Sequence, residues 1–135
     1  MKIPALAALV AALVFITLDV NAEIPADFLS RYQSAARATD PTFTASAGRG
    51  ADFFRRRHGG EWSCSSCHTD NPASTGRHAS TGKTIQALAP AANPGRMTDS
   101  AKVEKWFRRN CRDVLGRECT PSEKADVVAW LISIQ

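Results

Sequence analysis

Regular alternation of apolar and polar residues is missing from this sequence, and so is any internal repeat. A strand-built fold and a repeat array are excluded on that ground. The two basic clusters, "FRRRH" and "WFRR", come with no aromatic–basic stripe and no nucleic-acid-binding motif, which excludes DNA or RNA as a partner. Beyond residue 22 no apolar run is long enough to cross a membrane. Neither charge sign dominates: the formal net charge is +4, and residues 1–22 carry one charge of each sign, so the remainder keeps that value. So mild a basic excess suits a face for an acidic protein partner, or for carboxylates on a bound ligand. Methionine and histidine are scarce, with two and three copies.

What is present begins with a secretory signal. Lys2 is a short basic start, Ile3 to Leu18 is an apolar core, and Val20-Asn21-Ala22 sets short residues before a cleavage point at Glu23. The alternative is an uncleaved membrane anchor, for which the run is slightly short before it closes at Asp19. Residues 1–22 are therefore expected to be removed, leaving residues 23–135 as one exported, soluble domain with a modest core. An oxidising compartment permits disulfides.

Helical periodicity predicts four helices. The first spans Pro25 to about Ala38, with Phe28, Leu29, Tyr32, Ala35 and Ala36 in phase. The second spans about Ala45 to Arg57, with Phe53 and Phe54 on its apolar side and Gly48 and Gly50 as points of close approach. From Gly59 to Pro94 the chain reads as loop, a length that makes sense only if it wraps something. The third helix starts at Thr98 or Asp99, carries Val103, Trp106 and Phe107, and ends near Asn110 to Val114 with Gly116 as terminator. The fourth has the sharpest start: Thr120 caps, Pro121 enters the first turn and Glu123 completes a capping box. Val127, Val128, Trp130, Leu131 and Ile134 form its buried face.

Inside the long loop stands Cys64-Ser65-Ser66-Cys67-His68, a C-x-x-C-H, the attachment pattern for c-type haem. Two intervening residues let both sulfurs reach the two vinyl groups, and the adjacent His68 is then aimed at the iron. Three other readings compete. A thioredoxin-like pair needs a βαβ setting, which is absent. Zinc held by Cys64, Cys67, Cys111 and Cys119 has the right count but a poor second spacing. A disulfide between Cys64 and Cys67 leaves His68 without a reason.

Cys111 and Cys119 stand apart from this motif. A helix end and a Gly-containing turn lie between them, which suits a disulfide pinning the third helix to the fourth. For the residue facing His68 across a haem, four candidates remain. Met97 precedes a helix and could ligate or simply pack. His58 ends a helix, where a basic residue suits the dipole. His78 lies in a polar loop. Asn110 sits directly before Cys111, where it could ligate or merely terminate its helix.

Four stretches, "CSSCHTDNP", "TGKTIQALAPAANPGRMTD", "KVEKWFRRNCRDVLGREC" and "TPSEKADVVAWL", together resemble the SHP-type oxygen-binding cytochromes c and their relative cytochrome c double-prime. The resemblance covers essentially all of residues 23–135, most clearly from the second helix onward. It implies an all-α, class I cytochrome c-like fold wrapped around one covalently bound haem c. The family's sixth iron ligand precedes the first disulfide cysteine, as Asn in SHP proteins and His in cytochrome c double-prime. That position is Asn110, and the family disulfide falls on Cys111 and Cys119. One departure is Met97, where the family carries Phe. The expected metal ligands are thus His68 and Asn110, with haem attached at Cys64 and Cys67.

The resemblance also implies a periplasmic protein reduced by a dihaem c-type cytochrome and a membrane b-type cytochrome. Its ferrous site would bind O2, NO or CO. Two other functions stay open: a small reductase of O2, peroxide or nitrogen oxides, and a plain electron carrier with Met97 as sixth ligand. No proton-delivery triad is evident, so ligand binding and electron transfer are expected ahead of turnover.

Overall fold

The structure, a computed structural model, describes residues 22–135. The signal read at residues 1–22 lies, Ala22 apart, outside the described residues. Five helices and one small ribbon follow in order: α1 (Pro25–Arg37), α2 (Ala47–Arg55), α3 (Ser65–His68), β1 (Gly76–Arg77), β2 (Thr84–Ile85), α4 (Ser100–Leu115) and α5 (Pro121–Ser133).

Helix α5 is the centre of the scaffold and packs on both α1 and α2. The Thr120 hydroxyl accepts from the Glu123 amide at 3.2 Å while the Glu123 carboxylate accepts from the Thr120 amide at 2.8 Å, the reciprocal capping box that the sequence predicts. One side of α5 presents Ala125 and Val128 to Phe28 and Tyr32 of α1. The other presents Val127, Trp130 and Leu131 to Phe53 and Phe54 of α2. Burying a side chain of the Phe or Val class contributes about 1.5–3 kcal/mol each, so these two seams dominate the fold.

Gly50 permits the α2–α5 contact. A Cβ there would lie 2.0 Å from the Asp126 carbonyl oxygen, whereas the same atom at Gly48 would meet only the Ser46 hydroxyl at 3.7 Å. Close approach is therefore a property of Gly50 and not of Gly48. Beside it, buried Asp126 accepts from the Ser46 amide at 2.7 Å and from Arg49 Nε and Nη2, both at 2.8 Å. Ser46 also caps α2 by accepting from the Arg49 amide at 3.3 Å, and Arg56 is extended, so α2 is shorter than its periodicity suggests.

Helix α4 begins at an Asp99 cap and runs through Asn110 to Leu115, one residue past the expected end, before Gly116 turns left-handed at φ 70°. Phe107 meets Tyr32 edge-on at 5.6 Å. Glu104 accepts from the Tyr32 hydroxyl at 2.6 Å and from Lys124 at 2.8 Å, tying α4 to α1 and α5. The segment read as loop holds two elements that periodicity does not reveal. These are the single turn α3 and an antiparallel ribbon pairing Gly76 with Ile85 and Arg77 with Thr84. The ribbon is too short for alternation to register, and the fold stays helical in class.

Candidate haem-binding site

Cys64, Cys67 and His68 fall within one turn. The Cys67 and His68 amides donate to the Cys64 carbonyl at 3.3 and 3.1 Å, closing α3 around the motif. The two serines between the cysteines hold this turn. Ser66 Oγ accepts from the Ser63 amide at 2.9 Å, and the buried Ser63 hydroxyl lies 2.9 Å from Ser65 Oγ and 3.1 Å from Ser66 Oγ. Thr69 then stops the helix at φ 60°, its hydroxyl donating to the Asn71 carbonyl at 2.7 Å.

Both thiols are free and half-buried. Burial pushes the Cys64 thiol up to about 11, so it is protonated at neutral pH. Burial, followed by the nearby charges of Arg96 and His78, pulls His68 down to about 4, leaving a neutral imidazole with a free lone pair. The Cys67 sulfur accepts from the Ala79 amide at 3.2 Å. The Phe54 ring lies 6.1 Å from that of His68.

Gly76 belongs to this site and has no signature in the sequence beyond being glycine. A Cβ there would stand 2.1 Å from the Cys67 carbonyl oxygen and 3.0 Å from the His68 Cα. The ribbon can therefore lie against α3 only because position 76 has no side chain.

Cys111 and Cys119 form a disulfide with Cα atoms 5.6 Å apart, which removes them from any four-cysteine zinc site and leaves Cys64 and Cys67 as the thiol pair. Two free thiols, Cys64 held protonated by its burial, and a neutral imidazole on one turn fit covalent haem. They do not fit a redox dithiol, which needs a stabilised thiolate.

Asn110 is not brought to a helix end. It is half-buried in the body of α4, next to buried Cys111, and among the described residues its amide makes no hydrogen bond to protein. Trp106, one turn earlier, is 45% exposed, with Lys105 and Arg109 over its ring at 5.9 and 5.6 Å.

The other candidates are otherwise engaged. Met97 has φ 56° and packs against both apolar clusters. His58 Nε2 lies 2.9 Å from the Phe53 carbonyl, at the end of α2, and its ring is tilted against that of Phe53 with centroids 4.4 Å apart. His78 is half-buried in the ribbon's turn, where Nδ1 accepts from the Thr81 amide at 3.2 Å.

Residues 40–131 match a family described as Domain of unknown function (DUF1924). The cytochrome c-type protein SHP of Cereibacter sphaeroides is 48% identical over 111 residues, spanning 79% of this chain and 81% of its own. Cytochrome c'' of Methylophilus methylotrophus is 44% identical over 108 residues, spanning 76% and 75%. The structure of oxidised SHP, an oxygen-binding cytochrome c, aligns with a TM-score of 0.73 at 43% identity, covering 82% of this chain and 97% of that one. Oxidised cytochrome c'' aligns with a TM-score of 0.76 at 40% identity, covering 82% and 94%. A solution structure of cytochrome c'', described as giving insights into the structural basis of haem-ligand detachment, aligns with a TM-score of 0.73 at 40% identity, covering 81% and 92%. With its helical fold, its C-x-x-C-H turn and this degree of identity, the chain belongs to the family of SHP and cytochrome c'', monohaem c-type cytochromes with covalently bound haem c.

Proposed function

We propose that Asn110 is the sixth iron ligand of the oxidised protein and lets go on reduction, opening the site to a small diatomic such as O2, NO or CO. Cys64 and Cys67 hold the haem and His68 stands on its proximal side. When bound, the haem supplies a redox-active iron with one exchangeable position. A single observation carries the reading: Asn110 sits inside α4 with an uncommitted amide, so it is neither a cap nor a terminator. The Cys111–Cys119 disulfide braces it from the neighbouring residue. An amide oxygen is a hard, weak donor that suits ferric iron better than ferrous iron. Once released, the Asn110 amide N–H could donate a hydrogen bond to the diatomic.

The relatives support this reading, one being an oxygen-binding cytochrome c and the other being studied for haem-ligand detachment. On the same reading the protein works in the periplasm and takes electrons from a dihaem c-type cytochrome and a membrane b-type cytochrome. No helix among the described residues is long and apolar enough to cross a membrane. Met97 as a permanent ligand is disfavoured by its packing between the two apolar clusters. Absorption spectra of the oxidised and reduced holoprotein, with and without CO, test the proposal. A high-spin reduced spectrum with rapid CO uptake is expected, and a low-spin six-coordinate reduced spectrum that resists CO would overturn it.

A further inference from the structure

Among the described residues only two cationic side chains of the Lys/Arg type are not exposed, Lys124 and Arg96. Lys124 has its carboxylate, Glu104, at 2.8 Å. Arg96 has none within 4.0 Å among the described residues. A cation taken partly out of water without an anion is costly, and proteins rarely leave one so.

Arg96 is nevertheless fixed in place. Its Nε donates to the Ala87 carbonyl at 2.9 Å and its Nη2 to the Gln86 carbonyl at 2.9 Å. Asn93 Nδ2 donates to the same Ala87 carbonyl at 3.2 Å, and the Arg96 amide donates to the Asn93 carbonyl at 2.9 Å. Ala87 and Ala89 are buried, and the amides of Leu88 and Ala89 both donate to the carbonyl of fully buried Pro72, at 2.8 and 3.0 Å. The guanidinium is thus clamped along one edge by a rigid loop. Its Nη1 nitrogen has no protein partner among the described residues. A planar, pre-oriented guanidinium with free N–H groups is built to take a carboxylate. The loop that clamps it is anchored on the Pro72 carbonyl, shortly after His68 in the chain.

We infer that Arg96 is the receptor for a carboxylate of the prosthetic group, one of the two haem propionates, and so positions the haem relative to His68. The inference rests on haem attachment at Cys64 and Cys67 but not on Asn110 as a ligand. The ion pair would set a fixed positive charge at the edge of the haem. Losing that charge favours the ferric state.

The test uses the intact holoprotein. In the reduced, CO-saturated, diamagnetic form, NMR should show slowed rotation of the Arg96 guanidinium and nuclear Overhauser contacts from its N–H protons to propionate methylenes. This requires no variant, so it stands even if a substituted protein fails to mature. Arg96→Gln should retain covalent haem and ferric spin state, shift the resonance Raman propionate-bending band and lower the reduction potential. Arg96→Lys should recover part of both changes. A freely rotating Arg96 guanidinium without propionate contacts, or an Arg96→Gln protein with unchanged propionate band and potential, would overturn the inference. Failure of haem attachment would appear separately, as apoprotein by mass spectrometry. Failure of the Asn110 reading would appear as a spin state at odds with that reading in wild type and Arg96→Gln alike.

Discussion

The helical scaffold and the segment from Gly59 to Met97 are held by different means. In the scaffold, large side chains meet: Phe28 and Val128 are fully buried, and Phe54, Trp130 and Leu131 nearly so. In the segment the buried residues are small, namely Ser63, Pro72, Gly76, Ala87 and Ala89. What orders it is main-chain bonding, as at Pro72, and backbone laid directly on backbone, as at Gly76 over Cys67. The first region carries its own hydrophobic driving force. The second is a shaped wrapping, which suits a chain that surrounds a flat prosthetic group.

The largest break in that contrast should come from the scaffold. Phe28→Ala should cost about 3–5 kcal/mol in denaturant unfolding, because a fully buried aromatic leaves a cavity between α1 and α5. A loss under about 1 kcal/mol would show that the seam is not core-driven. Gly50→Ala and Gly76→Ala sharpen the comparison, since each added Cβ meets a carbonyl oxygen, at 2.0 and 2.1 Å. Both cost at least about 1–3 kcal/mol by overpacking, but the consequences differ. Gly50→Ala should lower the unfolding midpoint, whereas Gly76→Ala should mainly lower the yield of covalently attached haem, read as haem absorbance per chain.

A smaller effect is expected at the staple. Replacing Cys111 and Cys119 by Ser should cost about 2–3 kcal/mol, the loop-entropy value for so short a loop, and alter ferric ligation at the neighbouring Asn110. Non-reducing peptide mapping checks the crosslink first. The smallest effect concerns acid. Burial raises the Glu104 pKa, but hydrogen bonds from Lys124 and Tyr32 outweigh it and hold the carboxyl below its ordinary value. A depressed carboxylate stabilises the fold above its unfolded-state pKa, near 4.5, and that contribution fades as pH falls through the folded value. Lys124→Met should therefore flatten the loss of stability on acidification, measured as unfolding midpoint against pH.

Sequence patterns revealed the scaffold well because its elements are long and carry side-chain signals. The Thr120–Glu123 box, the Asp99 start and the Gly116 stop all stand where their chemistry predicts. The site was legible only as a motif. Cys64, Cys67 and His68 announce haem, yet nothing local showed that Ser63 to Ser66 form the turn's own hydrogen-bonded support. Gly76, Asp126 and Arg96 escaped notice for a shared reason. Each takes its meaning from a partner distant in sequence: the Cys67 carbonyl, the α2 N-terminus, or an unpaired charge in a loop otherwise rich in small residues. The ribbon escaped because two residues per strand cannot show alternation.

The central claim is that Asn110, and not Met97, faces His68 across the haem in the oxidised protein. Magnetic circular dichroism of Asn110→Ala and Met97→Leu, each oxidised and reduced, tests it most directly. Asn110→Ala should open the ferric site to water and added anions while leaving the reduced protein high-spin, and Met97→Leu should change neither state. A Met97→Leu protein that lost a low-spin reduced spectrum, beside an Asn110→Ala protein unchanged in both states, would contradict the account and make Met97 the ligand of an ordinary electron carrier.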